Sequence, residues 1–406
     1  MLEFIYGKII SLLVYTGLYN RKKVFIMTFC AFPNYGTTLL NYALSEKIKQ
    51  LGYSPQTIRW DPLFSRTIGL RNDTLRFFWF DHVNRTKICY TEKDLRNVTA
   101  SGNRIIFGGD TIFRAWGARH GKHPLWVLRY FGDFVSGKKA IASYAPSFAL
   151  DFFDGDKTVV GYCKTLIRRF DKVSDREKNG VEMLRNLFGA DSTEVLDPVF
   201  FLSSSQYGDL IKSAKNIKTR DDSYIAYMHF GDKQCKELKN NTLFNNKNIL
   251  NICVDRDEKF VTVEQWLYYI KNANFIITNT YHHVAFAIIF HKPFVSIVSN
   301  GHDIRAKSLL ENVGLLHLQK KSLQEITEKD LSPSIDWDDV DRKINERLAI
   351  SEKFLKEALQ VKPSYKAPFK VDKETLKIRE KYEKLYTYRT MARKYRILAE
   401  EALEEQ

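Results

Sequence analysis

"FIITNTYHHVAFAIIFHKPFVSI", residues 275–297, reads as an apolar strand, a polar turn, an apolar helix and a second apolar strand. Strand and helix both lack a polar face, so each is covered on all sides, as in a parallel sheet with helices packed over it. His282 and His283 stand where the strand has ended and the helix opens. A core has no need of two imidazoles, which makes this junction the first place to look for chemistry.

The same alternation extends in both directions. Upstream, "KKVFIMTFCAF" is an apolar strand followed by "NYGTTLLNYALSEKIKQLGY", with helical periodicity from Thr37 to Leu51. Strand patterns recur at "SPQTIRW", "RIIFGG", "KKAIASY" and "EVLDPVFFL", separated by helical stretches such as "HPLWVLRYFGDFV" and "REKNGVEMLRNLF". Such alternation predicts an α/β fold with a mainly parallel sheet. Between about Ser203 and Asp222 the chain turns polar and lysine-rich, which reads as a passage between lobes. The pattern then restarts with strands at "SYIAYM", "NILNICV", "FIITNT" and "FVSIV" and helices at "TVEQWLYYIKNA", "VAFAIIF" and "DIRAKSLLENV". The expected division is an apolar helix over 1–20, a first lobe over 21–205, a second over 206–337 and a helical extension over 338–406. Prolines break that extension at "VKPSYKAPFKV", and Tyr382, Leu385, Tyr386 and Ile397 are placed to pack back across the first lobe.

A chain of 406 residues has enough length for two cores. Its five cysteines are far apart, in no zinc-like spacing, and read as reduced thiols in a cytoplasm. The formal charge is +15, and residues 61–150 hold 14 basic against 7 acidic side chains, so the first lobe carries much of the positive field. No zinc finger, RNP-like aromatic motif or basic helix accompanies it, which turns the expectation from nucleic acid toward phosphorylated small molecules or an acidic membrane surface. The amino terminus is apolar from Leu2 to Leu18, with Glu3, Gly7 and Ser11 four apart and Arg21, Lys22 and Lys23 behind. It is short against the roughly 20 apolar residues a span needs. A helix in the membrane interface, a helix packed on the body and a true span all stay open.

Several polar residues fall at strand ends, where open α/β sheets hold their ligands. They are Asn34 and Gly36 after the first strand, Gly108, Gly109 and Asp110 after "RIIF", Asp175, Arg176 and Glu177 after "KVS", and His282 and His283 after "FIITNTY". The glycine pair fits neither a dinucleotide fingerprint nor a P-loop, and serves either a close ligand approach or a tight turn. Arg176 either forks onto an anion or pairs with its neighbours Asp175 and Glu177. Arg305, opening "RAKSLLENVGL", has helix-start amides beside it that favour an anion. His282 is a proton donor or acceptor near neutral pH; His283 reads as its packing neighbour, and His291 and Lys292 as lying at the far end of the helix. His229, just past "YIAYM", opens the second lobe on the same side.

Taken in order, "NYGTTLLNYALSEKIKQLGY", "GGD", "ASYAPSF", "VSDREKNGVEML", "LDPVFFL", "TNTYHHVAFAIIFHKPFVSI" and "RAKSLLENVGL" resemble the polysaccharide pyruvyl transferase family over about residues 23–318. The resemblance implies two Rossmann-like lobes in a glycosyltransferase-B-like arrangement, phosphoenolpyruvate as donor, a sugar as acceptor and no cofactor. It maps the family's histidine onto His282, the arginine before its "SLL" block onto Arg305 and its "VSxREK" arginine onto Arg176. Where some members carry an arginine two places before the histidine this chain has Thr280, and the usual small residue after the histidine is His283.

The chemistry asks for these residue types. Adding a hydroxyl to the central carbon of phosphoenolpyruvate requires protonation of the methylene, and a second hydroxyl then expels phosphate, so one acid and two cationic clamps are needed. The expected roles are His282 as acid, Arg305 and Arg176 as holders of carboxylate and phosphate, His229 on the donor side, and Asp110 or Asn34 orienting the acceptor. A lipid-diphosphate-linked sugar at the inner membrane face would account for the basic lobe and the apolar terminus together. A nucleotide-sugar glycosyltransferase and an inactive scaffold of polysaccharide assembly are the competing expectations.

Overall fold

The computed structural model describes residues 21–29, 34–60, 78, 81–115, 126–228, 238, 241–252, 261–298 and 304–377. The expected helix over 1–20, His229, the packing residues Tyr382, Leu385, Tyr386 and Ile397, and Cys30, Cys235 and Cys253 lie outside the described residues.

In chain order the first part contains β1 (Lys23–Met27), α1 (Tyr35–Gln50), β2 (Ser54–Trp60), β3 (Arg85–Cys89), α2 (Glu92–Thr99), β4 (Arg104–Gly108) and β5 (Gly137–Tyr144). Next come α3 (Lys157–Ile167), β6 (Ser174–Asp175), α4 (Lys178–Met183), β7 (Thr193–Glu194) and α5 (Ser204–Ser213). The second part has β8 (Ile225–Met228), β9 (Ile249–Asn251), α6 (Val263–Asn272), β10 (Phe275–Thr278), α7 (Tyr281–Ile289), β11 (Phe294–Ile297), α8 (Ile304–Val313) and β12 (Gln319–Lys320). It closes with α9 (Trp337–Gln360) and β13 (Ser364–Lys366).

The first sheet has the order β13-β5-β4-β1-β2-β3, parallel except for β13, which runs antiparallel to β5. The second has the order β12-β11-β10-β8-β9 and is parallel throughout. Apart from its β13 edge, the first follows the Rossmann order and the second the flavodoxin-like one. Each therefore has a point where consecutive strands leave in opposite directions, between β1 and β4 in the first and between β8 and β10 in the second. The carboxyl ends of strands beside such a point are where an open sheet presents a crevice.

α1 joins the two halves. Its Tyr35, Leu39, Leu40 and Ala43 pack with Trp266, Phe286 and Met228 of the second core, while Leu44 and Ile48 pack with Val24 and Ile106 beneath the first sheet. The Tyr35 ring stacks on Trp266 at 5.1 Å, and its hydroxyl donates to the Val261 carbonyl at 2.9 Å. α9 returns from the second sheet to the first, where Phe354, Leu355, Ala358 and Leu359 cover Val24, Ile26 and Tyr144.

Four expectations need correction. "EVLDPVFFL" is not a strand: beyond the short β7 it turns into a 3₁₀ helix over Pro198–Phe201, because Pro198 supplies no amide and the Asp197 side chain caps Val199 N–H at 3.1 Å. The polar passage after Ser203 begins with α5, whose capping box of Ser203 and Gln206 starts a helix that buries Tyr207, Leu210 and Ile211. β3 and α2 fill a stretch that showed no clear strand or helix pattern. Between Pro363 and Pro368 the extension forms β13, pairing Tyr365 with Lys138 at the sheet edge. Cys89 and Cys163 are buried free thiols, and among the described residues no helix is long and apolar enough to cross a membrane.

Candidate active site

The two crevices face one another. After β1, Asn34 caps α1 by accepting from Thr37 N–H at 3.2 Å. After β4, Gly109 takes φ +73° with its amide bonded to the Tyr144 carbonyl, and Asp110 follows at φ +56°. A side chain at Gly109 would strike Leu40, so the turn answers to a packing need as well as to a left-handed backbone. A non-glycine residue in that region is strained, and strain of this kind collects at functional sites. The turn carries the Asp110 carboxylate across the sheet's switch point to accept from the Thr37 hydroxyl and from Thr111 N–H.

From the second sheet, α7 begins directly after β10 and brings His282 to the same place. Tyr281, His282 and His283 are all buried, and the His282 side chain keeps 11% of its surface exposed. Its ring edge lies against Gly36: a β-carbon there would come within 2.7 Å of Cε1 and closer still to Nδ1. Its other nitrogen, Nε2, is 3.8 Å from Asp197 Oδ2 and has no hydrogen-bond partner. Arg305, at the start of α8, sits close enough for its charge to act on both Asp110 and His282.

Beneath His282 lies a buried charge cluster. The Arg176 guanidinium donates from Nε to Glu177 Oε1 at 2.7 Å and from Nη1 to Asp197 Oδ2 at 2.6 Å, and its carbon lies 4.4 Å from the centre of the Tyr281 ring. Asp175 Oδ1 accepts from Glu177 N–H at 2.9 Å, leaving its second oxygen and that of Glu177 unbonded inside the protein. Three acids around one arginine leave an excess of negative charge in a dry place, and the cost falls on Asp175. Burial, reinforced by the Glu177 charge, pushes the Asp175 carboxyl well above the usual range.

The upper layer balances differently. Burial alone would raise Asp110, but Arg176, His282, the Thr37 hydroxyl and Arg305 outweigh it and hold the carboxylate below its ordinary value. For His282, burial lowers the pKa; Asp197 and Asp110 oppose this, and Arg176 and Arg305 add to it. The unliganded site thus pairs an ionised Asp110 with a neutral, protonatable imidazole.

Of the sequence-derived residues, Asn34, Gly36, Gly109, Asp110, Arg176, His282 and Arg305 come together around this gap, with Gly108 as the last residue of β4 beneath it. Thr280 and His283 are turned to each other instead. Thr280 Oγ1 and His283 Nδ1 are 2.6 Å apart, the His283 ring meets Trp266 edge-on at 4.6 Å, and burial holds the imidazole well below its usual pKa. His291 bonds Asp341 and stacks on Trp337 at the far end of α7. Thr37, Tyr281 and Asp197 were not singled out from sequence. For Asp197 a signal existed: an aspartate directly before a proline is a common capped turn, and that turn is what places it.

The family model described as Polysaccharide pyruvyl transferase matches residues 34–301, well over half of the chain. No curated protein matches the sequence. Among solved structures, a UDP-N-acetylglucosamine 2-epimerase from Rickettsia bellii is similar at 12% identity and a TM-score of 0.52, covering 84% of this chain and 96% of that one. A putative UDP-N-acetylglucosamine 2-epimerase from Listeria monocytogenes is similar at 10% identity and a TM-score of 0.44, covering 86% and 93%. At such identities the first of these speaks for the fold alone, a glycosyltransferase-B-like α/β arrangement.

Proposed function

Because the chain belongs to the polysaccharide pyruvyl transferase family, we propose that it moves the enolpyruvyl group of phosphoenolpyruvate onto two hydroxyls of a sugar, forming a cyclic ketal and releasing phosphate. One observation carries this reading: His282 from the second sheet and Asp110 from the first lie close enough for their charges to interact, and the Arg305 charge acts on both. Protonated His282 gives its proton to the methylene carbon while a sugar hydroxyl adds to the neighbouring carbon. Asp110, ionised and held by Thr37, orients that hydroxyl and accepts its proton. Attack by the second hydroxyl then breaks the carbon–oxygen bond to phosphate, and the departing phosphate oxygen takes that hydroxyl's proton, while the proton on Asp110 replaces the one His282 gave up. The donor's charge falls to Arg305 and the amino-terminal amides of α7 and α8, with no resident cofactor. His229 remains a donor-side proposal, as does Asn34 for the acceptor.

Arg176 enters with a different emphasis. Its Nε and Nη1 are held by Glu177 and Asp197, so its field, rather than a direct fork, is what it contributes to anion binding. For the acceptor we favour a galactose-type hexose of a lipid-diphosphate-linked repeat, presented at the inner face of a membrane to which residues 1–20 and the basic first part attach. Sedimentation with anionic vesicles should fall when residues 1–20 are removed; unchanged sedimentation would end that part.

Phosphate release from phosphoenolpyruvate with candidate lipid-linked galactosides tests the central reading. The parent should turn over, and His282→Ala should lose about 10²- to 10⁴-fold, the usual contribution of a positioned acid. Turnover surviving the substitution would remove His282 from its role. Thermal stabilisation by uridine or guanosine nucleotides, with no phosphate release, would favour a nucleotide-sugar glycosyltransferase.

A further inference from the structure

We propose that Asp197 is the positioning residue of the site: it holds His282 with a proton on Nε2, so that Nδ1 is the nitrogen presented to the donor. The inference rests on the reading of His282 as the acid and goes beyond it to say which nitrogen acts and what fixes the choice.

Asp197 is wholly buried at the head of the 3₁₀ turn, and every neighbour constrains it. Oδ1 is taken by Val199 N–H at 3.1 Å, and Oδ2 by Arg176 Nη1 at 2.6 Å with His282 Nε2 at 3.8 Å. Arg176 is in turn fixed by Glu177, so the carboxylate has one position available to it. Nε2 is sealed from solvent, makes no hydrogen bond, and has this carboxylate oxygen 3.8 Å away. A buried N–H pointing at a carboxylate is stabilised, whereas a bare imidazole lone pair pointing at one is repelled. That selects the Nε2–H form of the neutral ring. Nδ1, on the edge beside Gly36, is then the nitrogen that gains and gives the transferable proton, and a residue without a side chain at position 36 is what lets this edge of the ring fit there. Other charges acting on the ring are Asp110 after β4, Arg176 from the segment before α4, itself paired with Glu177, and Arg305 of α8. Tyr281 and His283 flank it on α7, and the first turn of α1, where Gly36 meets the ring, carries no charged side chain. In the step itself the Nδ1–H bond breaks as the new C–H bond forms from the donor's double bond, and the imidazole is left neutral with its Nε2 proton in place. The acceptor hydroxyl releases the proton that restores the balance, so no co-reactant is required.

Long-range proton–nitrogen correlation spectra of the parent, with ¹⁵N-labelled histidine and His282 assigned by comparison with His282→Gln, read the tautomer directly. The expected result is Nε2–H above the titration and a ring that loses this preference in Asp197→Asn. In turnover, Asp197→Asn should lower kcat by roughly 10²-fold or more with KM for phosphoenolpyruvate changed by less than about threefold, and Asp197→Glu should recover part of it. The apparent pKa of the His282-dependent limb should move to lower pH in Asp197→Asn. An Nδ1–H tautomer in the parent, or an unmoved pH limb in the variant, overturns the proposal. If Asp197→Asn does not fold, the parent spectrum decides alone. Because the tautomer is read without turnover, this outcome is separate from a failure of His282→Ala to affect phosphate release.

Discussion

Gly36 and His282 touch across the junction of the two sheets: the absent side chain of one is the space taken by the ring of the other. α1 is locked on both cores, and α7 is buried for nearly its whole length, so neither element yields easily. Gly36→Ala must therefore displace the imidazole. A shift of about 1 Å at a reacting group is enough to remove some 10²-fold in rate, while overpacking costs about 1–3 kcal/mol of stability. Phosphate-release kinetics beside urea unfolding should show a folded protein with a rate loss out of proportion to its stability loss. Parental kinetics would mean that the ring has room to move.

Removing Arg176 distinguishes a structural cation from a substrate clamp. Arg176→Met leaves Asp197 and Glu177 with buried, uncompensated charge, and breaking such a pair from one side costs about 3–5 kcal/mol. Denaturant unfolding should register a loss of that order. A variant of near-parental stability with a raised KM for phosphoenolpyruvate would instead make Arg176 a direct clamp.

These two residues also mark what could be read from sequence. Strand–turn–helix alternation located β1, β2, β4, β5, β8, β10 and β11, the rule that ligands gather at strand ends brought Gly36, Asp110, Arg176 and His282 forward together, and a helix start drew attention to Arg305. That rule works because topology, rather than local composition, creates the crevice. It does not say which residues at a strand end face the gap and which face one another. Thr280 and His283 have the spacing of site residues but are occupied by their mutual hydrogen bond and by Trp266. Asp197 was hidden because "VFFL" has strand composition, while the proline before it dictates a capped turn. β13 was hidden for a related reason. A three-residue edge strand is specified by its partner Lys138 and its neighbours, not by its own pattern.

The proton retained by Asp175 makes a prediction about pH. A carboxyl whose pKa is raised on folding is protonated in both states below its unfolded value, near 3.9, and its presence becomes progressively unfavourable to the fold as pH rises toward the folded value. Asp175→Asn keeps the protonated shape without the charge. Its stability relative to the parent should therefore grow as pH is raised from about 4 to 8. His282 and His283 have the opposite sign: with pKa values depressed by burial, their contribution is complete above about 6.5 and is lost as pH falls. His283→Gln should accordingly flatten the acid side of the parental Tm profile. A constant difference between Asp175→Asn and the parent across this range would show that Asp175 ionises normally.

The depressed pKa of His282 sets a condition on catalysis that binding itself can meet. The acid proposed for this reaction must be protonated when the proposed donor's methylene arrives, yet burial and the Arg176 and Arg305 charges lower the pKa of the His282 ring, against the pull of Asp197 and Asp110. On the proposed reading, phosphoenolpyruvate would bring multiple negative charges beside the ring, screen it from Arg305 and favour the imidazolium. Donor binding should then draw a proton from solvent, so that affinity weakens as pH rises above neutrality. Titration calorimetry in buffers of different ionisation enthalpy, at about pH 7, should show uptake approaching one proton in the parent and a much smaller value in His282→Gln. Buffer-independent heats in the parent would mean that the acid is charged before the donor enters, and that Asp197 and Asp110 already outweigh burial.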